Sequence, residues 1–82
     1  MKLKKNDLIA ITWEDITQHY EWVDEDIAAA KQTTTCWVTG YYLNEDKNCL
    51  RLSDMVNTNK ERNVTVLPKG CIKKIFRLRK SK

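Results

Sequence analysis

Residues 11–22, ITWEDITQHYEW, gather Trp13, Glu14, Asp15, His19, Tyr20, Glu21 and Trp22 into twelve positions. Such side chains could form an acid–base pair, a metal-binding set or an aromatic recognition surface. Glu14 and Asp15 are adjacent, so on a strand or at its exit their side chains diverge. A glycosidase-type pair must instead face each other across a gap. His19 is the only histidine, and no local nucleophile signature accompanies Cys36 or Cys71, the partners it would need. A metal site built from Asp15, His19 and Asp24 depends on loop geometry, and carboxylate-rich loops are usually just solvated. The chain has no CxxC pair, which argues against structural zinc. The reading is therefore non-enzymatic, with no catalytic residue, metal or cofactor. Asp15, His19 and Asp24 are expected in an interaction loop.

The aromatics and cations point to binding. Trp13 closes a strand and is expected to be mostly buried. For Trp22 a core position is favoured, because a small core has few other bulky members. Its competing role is a partly exposed platform that, with Tyr20, Tyr41 and Tyr42, stacks a base or grips a peptide. The net charge of +4 hides an asymmetry: residues 1–32 sum to −3 and residues 33–82 to +7. The last fourteen residues, KGCIKKIFRLRKSK, hold seven basic side chains and no acid. Lys69, Lys73, Lys74, Arg77 and Arg79 are thus candidate phosphate contacts. The competing reading is a solvated edge strand kept soluble by its lysines.

These residues must be positioned by strands. Five β-prone runs are expected at Leu8–Trp13, Thr33–Leu43, Cys49–Ser53, Val64–Leu67 and Ile72–Arg79, each with apolar alternation or β-branched content. Leu50 and Leu52 should face inward, as should Val64 and Val66, and Gly40 should mark a kink or bulge. NEDKN (44–48) and NTNKERN (57–63) suit hairpin connections, since Asn and Asp tolerate left-handed backbone and cap turns. Between the first two strands, DEDIAAAK predicts a short helix capped by Asp24, with acids in its first turn and Lys31 at its end. So long a connection in an economical chain suggests function. In LPKGCI the only proline stops the fourth strand, and a 3₁₀ turn is expected before the last.

Eighty-two residues make a single domain spanning 1–82, with marginal stability that favours oligomers. There is no apolar run long enough for a membrane helix, and MKLKKND lacks the apolar region of a signal peptide. Three widely spaced cysteines imply free thiols and a reducing compartment, which predicts a cytoplasmic protein.

VTVLPKGCIKKI resembles the end of an SH3-like small barrel, where an apolar-Pro segment turns through a 3₁₀ helix into the last strand. Lys69-Gly70 is similar to the basic-Gly pair of the second Sm motif, and GYYLNEDKNCLRL, with Gly40 and Asp46, loosely resembles the first. The chain departs from the Sm pattern in lacking an N-terminal helix and in placing Pro68 before Lys69. Along nearly its whole length it also resembles short phage and prophage proteins, through Thr12-Trp13-Glu14-Asp15, Trp22, Gly40-Tyr41-Tyr42-Leu43, Glu45-Asp46 and Pro68-Lys69-Gly70-Cys71-Ile72. The resemblance implies a viral origin, hence the cytoplasm of a host cell, and a mainly β, five-stranded SH3-like or Sm-like barrel with a helix in its first long loop.

Two functions compete. The first is a homo-oligomeric module for an anionic ligand, nucleic acid or nucleotide, using Trp22, Tyr20, Tyr41, Lys69, Lys73, Lys74, Arg77 and Arg79. The second is a protein-interaction module, such as an inhibitor or adaptor directed at a host protein or host defence. Against the first stand residues 6–30, which hold seven acids and no lysine or arginine. The acidic loop of one copy meeting the basic last strand of another would suit a ring.

Overall fold

A computed structural model describes residues 1–82. Five antiparallel strands, β1 (Leu8–Asp15), β2 (Thr34–Glu45), β3 (Cys49–Ser53), β4 (Thr65–Pro68) and β5 (Ile72–Arg79), form one sheet in the order β4-β3-β2-β1-β5. The chain is mainly β, as its alternating runs predict, and the 3₁₀ turn falls at Lys69–Cys71 between β4 and β5. The sheet is open. β4 and β5 occupy its two edges and do not pair, so the expected closed barrel is not what the hydrogen bonds define.

Alternation along β1 sorts the two faces. Ile9, Ile11 and Trp13 point to the inner face, where Ile9 and Ile11 pack with Tyr42, Leu50, Leu52 and Leu67 into the core. Gly40, opposite Ile9, is required by this packing. A Cβ there would lie 2.8 Å from Leu52 Cδ1 and 2.9 Å from the Ser53 carbonyl oxygen. No bulge falls at Gly40; the register shifts later, between Tyr42 and Asn44. Trp13 is half-buried against the core, and its indole Nε1 is buried without a hydrogen-bond partner.

In β4 the predicted facing is reversed. Leu67 pairs with Leu50 and is 4% exposed, whereas Val64 and Val66 are 54% and 50% exposed. One residue of register decides this, because neighbouring side chains on a strand point to opposite faces. Burying Leu67, the largest of the three, against Leu50 sets the register.

On the outer face β1 carries small residues, Ala10 and Thr12, flanked by Phe76 of β5 and Trp37 of β2. The flanking strands stand roughly 9–10 Å apart across β1. The Trp37 and Phe76 rings nevertheless stack with centroids 5.9 Å apart and planes 16° from parallel. They lean together over the central strand, which leaves Ala10 and Thr12 only 6% and 8% exposed.

Residues 16–33 form an arm joining β1 to β2. The helix in it, α1, spans Glu25–Ala29, and all five of its residues are exposed. Asp24 is its N-cap but makes no side-chain capping bond, and no basic residue lies in its last turn, so Lys31 falls beyond it. Trp22 is fully exposed, which overturns the core position favoured for it. The radius of gyration is 16.4 Å, against about 12 Å for 82 residues packed compactly. No helix is long and apolar enough to cross a membrane. Cys36, Cys49 and Cys71 are free and partly buried.

Candidate anion-binding cleft

The end of the sheet away from the arm is organised by Asp7, which is 1% exposed. Its carboxylate accepts the Lys4 backbone N–H at 2.9 Å and the Ser81 backbone N–H at 2.7 Å, and lies 3.7 Å from the Arg77 guanidinium. The two backbone donors, aided by Arg77, hold its pKa below the ordinary carboxylate value although burial opposes them. The N-terminal turn and the C-terminal tail are thereby pinned to one point. Asn6, with φ of 72°, completes the turn; its backbone N–H donates to the Tyr42 carbonyl at 2.8 Å. Asparagine is among the few residues that adopt this left-handed conformation readily.

Three hollows meet at Asn6. One, of about 390 Å³, is lined by Lys5, Tyr41, Arg79, Lys80 and Lys82. A second, of about 490 Å³, is lined by Lys5, Lys60 and Arg62. A third, of about 280 Å³, joins them through Asn6, Tyr41, Val56 and Arg62. The combined cleft carries six cations, no lining carboxylate and one half-buried aromatic ring. Arg62 donates to Asn6 Oδ1 at 2.7 Å and Arg79 approaches the Tyr41 hydroxyl at 3.4 Å; none of the six is in a salt bridge. Two acids adjoin lining residues in sequence: Asp7 is buried in its clamp, and Glu61, which lines a neighbouring hollow with Val56, Asn57 and Arg62, accepts a bond from Asn57 Nδ2 at 3.0 Å.

The loop that supplies Lys60 and Arg62 is held by asparagines. Asn57 Oδ1 accepts the backbone N–H groups of Asn59 and Glu61, both at 2.9 Å, and Lys60 takes a φ of 62°. Asn63 Oδ1 accepts the N–H of Met55 at 3.0 Å while its amide donates to Asp54. NTNKERN thus builds a hydrogen-bonded shelf for two cations within the connection expected of it.

Of the binding residues expected from sequence, only Tyr41 and Arg79 line the cleft. Three cations of the basic tail are committed elsewhere. Lys69 Nζ lies 2.7 Å from Glu45, Lys73 Nζ lies 3.0 Å from Glu14, and Arg77 meets Asp7 and also donates to the Lys2 carbonyl at 3.1 Å. Lys74 is exposed in the outer-face register opposite Thr12. Tyr20, Trp22, Asp15, His19 and Asp24 are exposed on the arm or at its base, at the other end of the sheet.

The carboxylates held in exposed ion pairs are acidic. Glu14 falls to about 2, chiefly through the Thr33 hydroxyl at 2.7 Å, then Lys73 and the Thr35 hydroxyl at 2.8 Å. Asp46 also falls to about 2, held by Arg51 at 2.9 Å and by the N–H groups of Asn48 and Cys49. Glu45 is lowered by Lys69 and by the Tyr42 hydroxyl, and burial in turn pushes Tyr42 up to about 12. These groups fasten the arm base and the hairpins.

The cleft draws on three separated segments, residues 5–6, 60–62 and 79–82, which no spacing rule links. The one local signal is KND at 5–7, a cation, a residue suited to positive φ and a carboxylate directly before the first strand. Comparison with known proteins finds no matching family model, no matching curated protein and no matching solved structure.

Proposed function

We propose that the protein is a non-enzymatic binding module for the sugar-phosphate backbone of nucleic acid, with the Asn6 cleft as its site. The observation that carries this reading is the set of six cations outside any salt bridge around one aromatic ring. Phosphates release counterions on such a surface, and Tyr41 offers a stacking plane to a base. The anionic ligand reading is thereby kept, moved from the basic tail to the termini and the 57–63 loop. As to fold, the strand order and the 3₁₀ turn between the two edge strands support an opened SH3-like or Sm-like sheet. Fluorescence titration of a labelled single-stranded oligonucleotide tests the function. Affinity should fall with salt, and Arg62→Ala and Arg79→Ala should each weaken it. Binding that ignores salt or either substitution would refute the cleft.

One observation favours a second reading, a protein-interaction module: the arm presents Trp22 and Tyr20 at 103% and 82% exposure beside acids. Trp22→Ala separates the two, since it should leave oligonucleotide affinity unchanged.

A further inference from the structure

Thirteen large apolar side chains are exposed, against seven apolar residues in the buried core. Seven of them fall in two groups. One group lies on the arm: Ile16, Tyr20, Trp22 and Ile27 at 89%, 82%, 103% and 51% exposure. Another lies on the outer sheet face: Trp37, Phe76 and Leu78 at 66%, 40% and 56%. Single exposed apolar residues are ordinary; contiguous sets mark surfaces that become covered.

The two groups carry opposite charge. The arm, residues 16–33, contains Glu21, Asp24, Glu25 and Asp26 against Lys31 alone, a net −3, while the rest of the chain is +7. None of its acids is in a salt bridge. The outer face presents Lys74 across Thr12 from Trp37 and two residues before Phe76 on β5, and Arg79 at its far end beside Tyr41. Its one acid in that register, Glu14, is already neutralised by Lys73. The arm cannot cover the face of its own chain as it stands, because it extends from the sheet and all but Thr17 of residues 16–33 are exposed.

Independently of the cleft, we infer that the occupant of the outer face is the arm of a second copy of this chain. Trp22 of one copy lies on the Trp37–Phe76 stack of the other, and the acids of the arm meet Lys74. Matching apolar content and opposite charge on two surfaces of one sequence single out a copy of itself over other partners. Each copy offers one arm and one face, so the contact is between unlike surfaces and has a distinctive genetic signature.

Sedimentation equilibrium of the full chain tests it. Wild type at ~100 µM and low salt should sediment at two or more times 9.7 kDa. Its dissociation constant should rise at least ~10-fold in 0.5 M salt, where exposed charges are screened within a few ångströms. Trp22→Ser and Phe76→Ser should each sediment as monomers. An equimolar mixture of the two should regain a dimer, since one supplies an intact face and the other an intact arm. Lys74→Glu, remote from the core, tests the charge without risk to the fold and should weaken assembly. Monomeric wild type, Trp22→Ser assembling like wild type, or a mixture that stays monomeric would each overturn the inference; the last would point instead to face-on-face pairing.

Discussion

At one end of β1, the Asp7 carboxylate draws an N-terminal turn, β5 and the C-terminal tail to a single buried point. At the other end, Asp15 leads into eighteen residues whose side chains almost all face solvent. Both ends are highly charged, yet their charges have different histories. Around Asp7 the acid is spent on two backbone donors and Arg77, which leaves the six cations of the cleft unneutralised. On the arm the acids find no cation at all. A charged side chain already in a hydrogen-bonded ion pair gives little to a further ligand, because its own bonds must break first. The unpaired set is therefore where binding energy is available, and sequence counts of charge do not distinguish the two.

The comparison breaks most directly at Asp7. Asp7→Ala should produce the largest fall in melting temperature, since it removes the buried acceptor shared by the Lys4 and Ser81 amides and the Arg77 guanidinium. It should also abolish oligonucleotide binding by freeing both termini. A variant that melts lower but binds as before would show that the cleft does not depend on the clamp.

Trp13→Ala comes next. Trp13 is packed against the core but only half-buried, so the loss should be about 3 kcal/mol by urea denaturation, near the low end for large aromatic truncations. Trp13→Phe should cost far less, because it also removes the unpartnered Nε1.

Acid should then loosen the arm base, held by Glu14, and the β2–β3 hairpin, held by Asp46. Glu14 and Asp46 bind fewer protons folded than unfolded, their folded values being about 2 against ordinary values of 4.5 and 3.8. Their contribution is complete above about pH 4.5 and is lost as pH falls toward 2. Tyr42 has the opposite sign: its folded value of about 12 lies above 10.0, so its contribution holds below pH 10 and is lost between 10 and 12. Melting temperature against pH should show both declines, and Glu14→Gln should flatten the acidic one.

The smallest effect belongs to the arm. In solution dilute enough to keep the chain monomeric, Trp22→Ala should change stability by no more than about 0.5 kcal/mol, as an exposed site should. A large loss would mean that the arm packs on its own sheet.

Much of the fold was legible. Cys49–Ser53 and Ile72–Arg79 fall at their expected bounds, and the proline in LPKGCI announces the 3₁₀ turn, because both signals are local. What is settled between distant strands was hidden. Alternation in VTVL cannot say which set faces inward until Leu67 meets Leu50. Closure depends on whether two edges approach, which no run of residues encodes. For the site, Tyr41 and Arg79 were visible as an aromatic and a cation, but Lys60, Arg62, Lys80 and Lys82 join them only through folding, and the pairing of Lys69, Lys73 and Arg77 with acids elsewhere in the chain removes the apparent basic strand.

The most direct test is the slope of log affinity against log salt for a single-stranded oligonucleotide. It compares wild type, a cleft variant with Lys5, Arg62 and Arg79 changed to alanine, and a strand variant with Lys69, Lys73 and Lys74 changed to alanine. Each lost phosphate contact should reduce the slope by about 0.7. The cleft variant should therefore lose about 2 from the slope, and the strand variant should stay close to wild type. The reverse order, or wild-type binding without a salt slope, would contradict the assignment of the cleft.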